Sequence, residues 1–144
     1  MKRFPLVLAL AFVVFPAAAF AQKTSESEQD PKTTQAYSML ILQKVKLQAE
    51  LEALLSEYSS DWPKSKKVQF ELDTLKIEMK KMAEVDESKV IKLTSGFGSL
   101  VLRRIALATD VHMLSEEEGS DWPPLKQKQR ELELLNQEIQ TALR

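Results

Sequence analysis

A chain of 144 residues with 20 basic and 21 acidic side chains, no cysteine and three glycines has room for one modest domain. The missing thiols exclude disulfide staples, cysteine nucleophiles and cysteine metal sites. The nearly balanced, slightly acidic charge argues against a general nucleic-acid binder.

The first segment reads as an address rather than as fold. Met1-Lys2-Arg3 is a basic start, and Pro5 to Phe20 is a near-continuous apolar run containing Pro16. Ala19-Phe20-Ala21 supplies small residues at −3 and −1, which places signal-peptidase cleavage after Ala21. The rival reading is an uncleaved anchor, but a spanning helix needs about 20 apolar residues and this run is shorter and broken by proline. Losing Lys2 and Arg3 takes the 20 basic residues to 18 against 21 acidic ones, a formal charge of −3. The expected location is therefore periplasmic or secreted, with no stable membrane insertion once the leader is cut. Residues 22–34 are polar and contain Pro31, so they read as a flexible tether.

From Gln35 the pattern becomes helical. Tyr37, Leu40, Leu47, Leu51, Leu54 and Tyr58 follow a three/four spacing interrupted by Lys44. Ile41, Val45 and Leu55 flank this stripe and widen it, as expected of a helix facing more than one neighbour. After a short polar break, Val68, Leu72, Leu75, Met79 and Met82 give a heptad-type seam. Residues 84–94 read as a linker with a short turn at Val90-Ile91. A third helix is expected from Thr94 or Ser95, with Leu100, Leu107, Val111 and Leu114 repeating the first stripe and Arg104 standing where Lys44 stood. A fourth, after Pro124, carries Leu132, Leu135, Ile139 and Ala142, with Leu134 and Leu143 alongside.

The second half repeats the first. Residues 40–82 align with 100–142 without a gap, with 15 identities in 43 positions. They include Leu47/Leu107, Leu54/Leu114, Glu71/Glu131, Leu75/Leu135 and the whole of Ser60-Asp61-Trp62-Pro63 against Ser120-Asp121-Trp122-Pro123. Ile41/Val101, Lys44/Arg104, Val45/Ile105, Glu50/Asp110 and Tyr37/Phe97 are conservative pairs. Chance helical likeness aligns leucines, but it does not also reproduce a four-residue tip in register. The chain is therefore all-α, built of two tandem helical hairpins over residues 35–83 and 95–144. Helices of 20–25 residues are about 30–38 Å long. One such hairpin cannot cover its own apolar face, whereas two can in an up-down-up-down four-helix bundle with both tips at one end. The competing arrangement lays the hairpins end to end as a coiled-coil-like array completed by dimerisation.

The tips are the candidate partner-contact sites: Asp61, Trp62 and Pro63, and Asp121, Trp122 and Pro123. A residue before proline is pushed out of the α region, so each Trp is a non-helical corner and each Pro suits a first helical position. The doubled Pro123-Pro124 is expected to shift the fourth helix on by one residue. Asp61 is expected to accept a backbone amide, as Asx residues do in turns. The bland reading makes each Trp a staple packed back over the apolar stripe; the functional one makes the indoles interface anchors. Lys64, Lys66, Lys67, Lys126, Lys128 and Arg130 fall in the first turns after the tips, where cations oppose the helix dipole. They suggest either an anion-contacting end or solvated charges balanced by Asp61, Asp121 and Glu71. His112 and Glu116 form an i, i+4 pair, which with no second His falls short of a zinc site. No glycine-rich phosphate loop and no Gly-x-Ser-x-Gly elbow occurs. No cofactor, metal or catalytic residue is assigned.

Tyr58-Ser59-Ser60-Asp61-Trp62-Pro63 followed by a heptad helix resembles the turn in the periplasmic coiled coils of polysaccharide chain-length determinant proteins. That family has an aromatic, a polar run and then His-Pro-x-Val. Here Trp62 stands at the histidine, Ser65 or Leu125 at the valine, and the family's membrane helices have no counterpart. The resemblance implies an extracytoplasmic helical hairpin and does not carry chain-length control. Leu93-Thr94-Ser95-Gly96-Phe97 resembles the Leu-Thr-x-x-Gln motif of small periplasmic stress chaperones except at its last position. Over its whole length the chain resembles exported bacterial proteins built of tandem helical hairpins. The expected function is a non-enzymatic helical scaffold or adaptor acting by protein–protein contacts or self-association. The alternative is a chaperone-like or ligand-binding bundle. The leader makes one direct prediction: mass measurement of the exported protein finds Gln22 at its start, and a full-length species retained in the membrane fraction would contradict it.

Overall fold

The computed structural model describes residues 30–118 and 122–144; the expected leader, the cleavage site expected after Ala21, and Asp121 lie outside them. The fold is all-α. Four long helices follow in order, α1 (Gln35–Glu57), α2 (Pro63–Ala83), α3 (Ser95–Glu118) and α4 (Pro123–Ala142). Among the described residues none is long and apolar enough to cross a membrane.

The helix boundaries follow from local chemistry, and the repeat extends to them. Thr34 Oγ1 accepts the Tyr37 amide at 3.2 Å, and Thr94 Oγ1 accepts the Phe97 amide at 3.3 Å. Two threonines sixty residues apart thus supply the same N-terminal cap to α1 and α3. Pro63 and Pro123 open α2 and α4, where a missing amide costs nothing. The doubled proline does not shift α4, because Pro124 tolerates the second position, whose amide also lacks an intrahelical partner. Asp30 caps a short 3₁₀ turn at Pro31–Thr33 that packs against α1 and α2. Between the hairpins, Asp86 caps a second such turn, Glu87–Lys92, which buries Val90 and leaves Ile91 exposed.

The two hairpins pack side by side. The Ala36 amide donates to Leu93 O at 3.3 Å, which ties the start of α1 to the start of α3. Both corners therefore lie at the opposite end. The arrangement is not a square. α3 packs on α1, α2 and α4, whereas α4 has no comparable interface with α1 or α2.

Two surfaces of α3 do this work. Arg103 and Arg104 reach Glu131 and Asn136 of α4 at 2.9 and 3.4 Å, which sets Leu100, Leu107 and Leu114 on the side of the hairpin partner. A second ridge at four-residue spacing, Phe97, Val101, Ile105 and Thr109, is buried. The three apolar members belong to one core cluster with Ala36, Leu40, Leu72 and Leu75 of the first hairpin. Thr109 is tolerated there because its hydroxyl donates to Ile105 O at 3.0 Å. Burying Phe97, Val101 and Ile105 contributes about 1.5–3 kcal/mol each as an upper estimate. By contrast, the half-buried Arg104–Glu78 ion pair between α3 and α2 costs about as much in desolvation as it returns. The ridge holds the hairpins together, and the ion pair fixes their register.

One expectation about α1 is overturned. Ile41, Val45 and Leu55 do not meet a second neighbour; they are 41%, 58% and 47% exposed. The physical reason is the side-by-side packing: α1 turns Ala36, Leu40 and Leu47 toward the core and leaves this flank outermost.

Gly98 marks the closest approach of the hairpins. An added Cβ there would lie 2.9 Å from Ala36 Cα and 3.1 Å from Met39 Sδ. Gly98→Ala is expected to lower stability by about 1–3 kcal/mol, overriding the ~1 kcal/mol that alanine gains in helix propensity. Gly96→Ala, whose Cβ meets only Thr94 Oγ1 at 3.7 Å, is expected to be neutral or stabilising by up to about 1 kcal/mol. Urea unfolding of the two variants makes the comparison.

Candidate functional site: the corner end of the bundle

Each corner is built from its tryptophan outward. Trp62 and Trp122 have extended backbones (φ −63°, ψ 135° and φ −66°, ψ 124°), as a following proline requires. Their carbonyls accept the amides of Lys66 and Lys126 at 3.0 and 3.2 Å, which starts the first turns of α2 and α4. The backbones are equivalent, but the side chains are not. α1 ends at Glu57, so Tyr58 leaves the helical stripe and stacks on Trp62, ring centroids 4.0 Å apart and planes 16° off parallel. Trp62 also packs against the core cluster. The repeat puts Glu118 where Tyr58 stands, and Trp122 is 36% exposed. The staple reading fits the first indole, whereas the second keeps about a third of its surface in solvent.

Asp61 behaves differently from an Asx cap. Its carboxylate is exposed and lies 3.8 Å from Lys66 Nζ, while the local turn closes through the Trp62 amide donating to Ser59 O at 3.2 Å. Three of the basic residues after the corners, Lys64, Lys67 and Lys128, find partners on other helices. Lys64 reaches Glu50 of α1 at 3.4 Å, and Glu71, expected to balance them, accepts from Gln43 instead. Lys67 of α2 and Lys128 of α4 converge on one carboxylate, Asp110 of α3, at 3.1 and 3.0 Å. Partial burial pushes the Asp110 carboxyl up, but the hydrogen bonds from Lys128 and Lys67 outweigh it and hold it below the ordinary carboxylate range. The corner end is thus clasped by one acid from the central helix. Lys67 and Lys128 share the single negative charge of Asp110, so this cluster keeps one net positive charge, while Lys64 is balanced by Glu50.

His112 stacks on Phe70 of α2, centroids 4.0 Å apart and 12° from parallel, and its Nε2 lies 3.6 Å from Glu116. That makes it a packing residue between α2 and α3. Among the described residues no group of three or more His, Asp or Glu is placed to hold a metal ion.

Sequence reasoning paired Glu50 with Asp110 and Lys44 with Arg104 but assigned none of them a part. The signal for Arg104 was present: a charge interrupting an apolar stripe at the same place in both halves. Asp110 had no such signal, since its role depends on two lysines brought together only by the hairpin packing. Compared with known proteins, the chain matches no family model, no curated protein and no solved structure.

The Asp110 clasp is testable by pH. A carboxyl depressed in the fold adds stability that is fully present above its unfolded value of about 3.9 and is lost as pH falls through the lower folded value. The carboxylate is more than a third exposed, so screening by water limits the contribution to about 0.5–1 kcal/mol. Asp110→Asn is expected to lose that amount at pH 7 and to show a flatter decline in melting temperature between about pH 5 and pH 2 than the parent.

Proposed function

We propose that the protein is an exported, non-enzymatic helical adaptor, periplasmic or secreted, that works by protein–protein contact at its corner end. The observation that carries this reading is the difference between the twin indoles. One is stacked and packed inward, whereas Trp122 is 36% exposed at the start of the helix that carries Lys128 of the Asp110 clasp. Tryptophan is among the residues that most often anchor protein interfaces, and a clasped corner presents it at low entropic cost. Asp61 and Pro63 flank the inward indole, and Pro123 flanks the outward one. The basic leader and apolar run support export, and a sequence without a nucleophile elbow or phosphate loop supports a non-enzymatic role.

A chaperone-like or ligand-binding bundle is the second reading. It draws on a cleft between the C-terminal ends of α2 and α4, lined by Met82, Phe97, Val101 and Ile139. The cleft is narrow, and the Glu78–Arg104 ion pair lies along its wall.

Affinity capture from envelope extract separates a corner anchor from a corner staple. Trp122→Ala is expected to reduce partner capture by at least about tenfold while leaving the melting temperature almost unchanged. Trp62→Ala, which removes the stacked and half-buried indole, is expected to lower stability by about 1–3 kcal/mol. Equal capture by Trp122→Ala and parent would sink the adaptor reading.

A further inference from the structure

The duplication shows what belongs on the exposed flank of α1. Tyr37, Ile41, Val45 and Ala49 are the counterparts, sixty residues earlier, of the ridge Phe97, Val101, Ile105 and Thr109. In α3 that ridge is covered by the α1–α2 hairpin: Val101 and Ile105 are 3% and 1% exposed. In α1 Tyr37 is half-buried against the core, but Ile41, Val45 and Ala49 at the next three registers are open, with Leu42 beside them 72% exposed. One hairpin's ridge is thus docked on the preceding hairpin, while no described residue covers Ile41 and Val45 of the first hairpin's ridge in the same way. We propose that a second copy of this chain fills that place head to tail, the α1 ridge of one copy docking on the α3–α4 hairpin of the next as α3 docks on α1–α2 within the chain.

The contacts of the internal interface, moved by one repeat, test whether the surfaces match. Arg104 of the ridge helix pairs with Glu78 of the receiving hairpin; one repeat along, Lys44 meets Glu138, again a cation against a carboxylate. His112 stacks on Phe70; the counterparts are Glu52 and Arg130, which are oppositely charged. Gly98 lies against Ala36 at the closest approach; Ser38 and Gly96 replace them, again two small residues. None of Lys44, Glu52, Arg130 and Glu138 has a side-chain partner among the described residues. Gly96, Arg130 and Glu138 are exposed, so the receiving face is open. Leu134, 63% exposed, stands where Thr74 lines the groove beside Phe70 and His112. The internal contact repeats as two ion pairs, a small-residue approach and an apolar ridge, and the four charged groups are without a side-chain partner among the described residues. A heterologous contact of this kind leaves a free ridge and a free receiving face on every assembly, so it grows into chains or a closed ring rather than stopping at a two-fold dimer.

The inference rests on the adaptor reading for its biological use, but its test does not pass through the corners. Sedimentation of the purified protein across a concentration series is expected to show assemblies beyond the dimer. Lys44→Glu and Glu138→Lys, both surface changes that leave the helical circular-dichroism signal intact, are each expected to weaken assembly by about tenfold or more. Mixing the two variants, or combining them in one chain, is expected to restore it, because the reversed charges then face each other between copies. Trp122→Ala is expected to assemble like the parent. A parent that stays monomeric up to about 1 mM, well above the concentrations at which specific interfaces assemble, overturns the proposal and leaves the corner reading standing. So does assembly that is indifferent to both reversals or that is lost with Trp122.

Discussion

Everything else in this protein depends on the ridge of α3 settling on the first hairpin. A lone helical hairpin has a seam but no second layer, and the heptad leucines of α2 would remain half wet. Phe97, Val101 and Ile105 supply that layer, and Gly98 lets the two backbones approach closely enough for it to seal. Once α3 is seated, Asp110 and Arg104 fall within reach of α2 and α4 together. The polar clasp and the register-fixing ion pair are consequences of the apolar contact, not alternatives to it. The magnitudes agree with this order, since exposed or half-exposed ion pairs contribute little beside buried apolar side chains.

The two halves began alike in sequence and hold unlike positions. α3 is covered on several sides and α1 on fewer, so the same register carries Ile105 in the core and Val45 in solvent. Ser65 is buried with an unpartnered hydroxyl, whereas its counterpart Leu125 is buried without a polar atom to satisfy. Arg104 reaches two other helices, whereas Lys44 reaches none. Divergence after duplication thus follows the environment in places and lags behind it in others. The places where it lags, an apolar flank and unpaired charges among them, are where a surface without an evident use remains.

Much of the fold was legible before any coordinates. Leucine spacing and an ungapped repeat carry the all-α class and the tandem hairpins, because helix period and register are local properties. The relative placement of the hairpins was only partly legible: a sequence shows which residues are apolar, not which of two apolar flanks is covered. Ile41 and Val45 read as a second buried face for that reason. The site was legible in its backbone, since Trp-Pro constrains both corners alike, but not in its side chains. The stacking of Trp62 turns on one neighbour, Tyr58, and the repeat carries no aromatic at the equivalent position, Glu118. Asp110 escaped notice because its two partners lie 43 and 18 residues away. No local pattern spans those distances.

The unequal corners have a practical side. The chain holds two tryptophans in all, one in each hairpin. Trp62 stands face to face with a phenol that can pass excitation to it, while the sixty-residue counterpart of that phenol beside Trp122 is Glu118. Their emission therefore differs in the efficiency with which tyrosine absorption feeds it. Nature has labelled the two halves of the molecule separately, and the loosening of either half can be followed by its own light without attaching a dye.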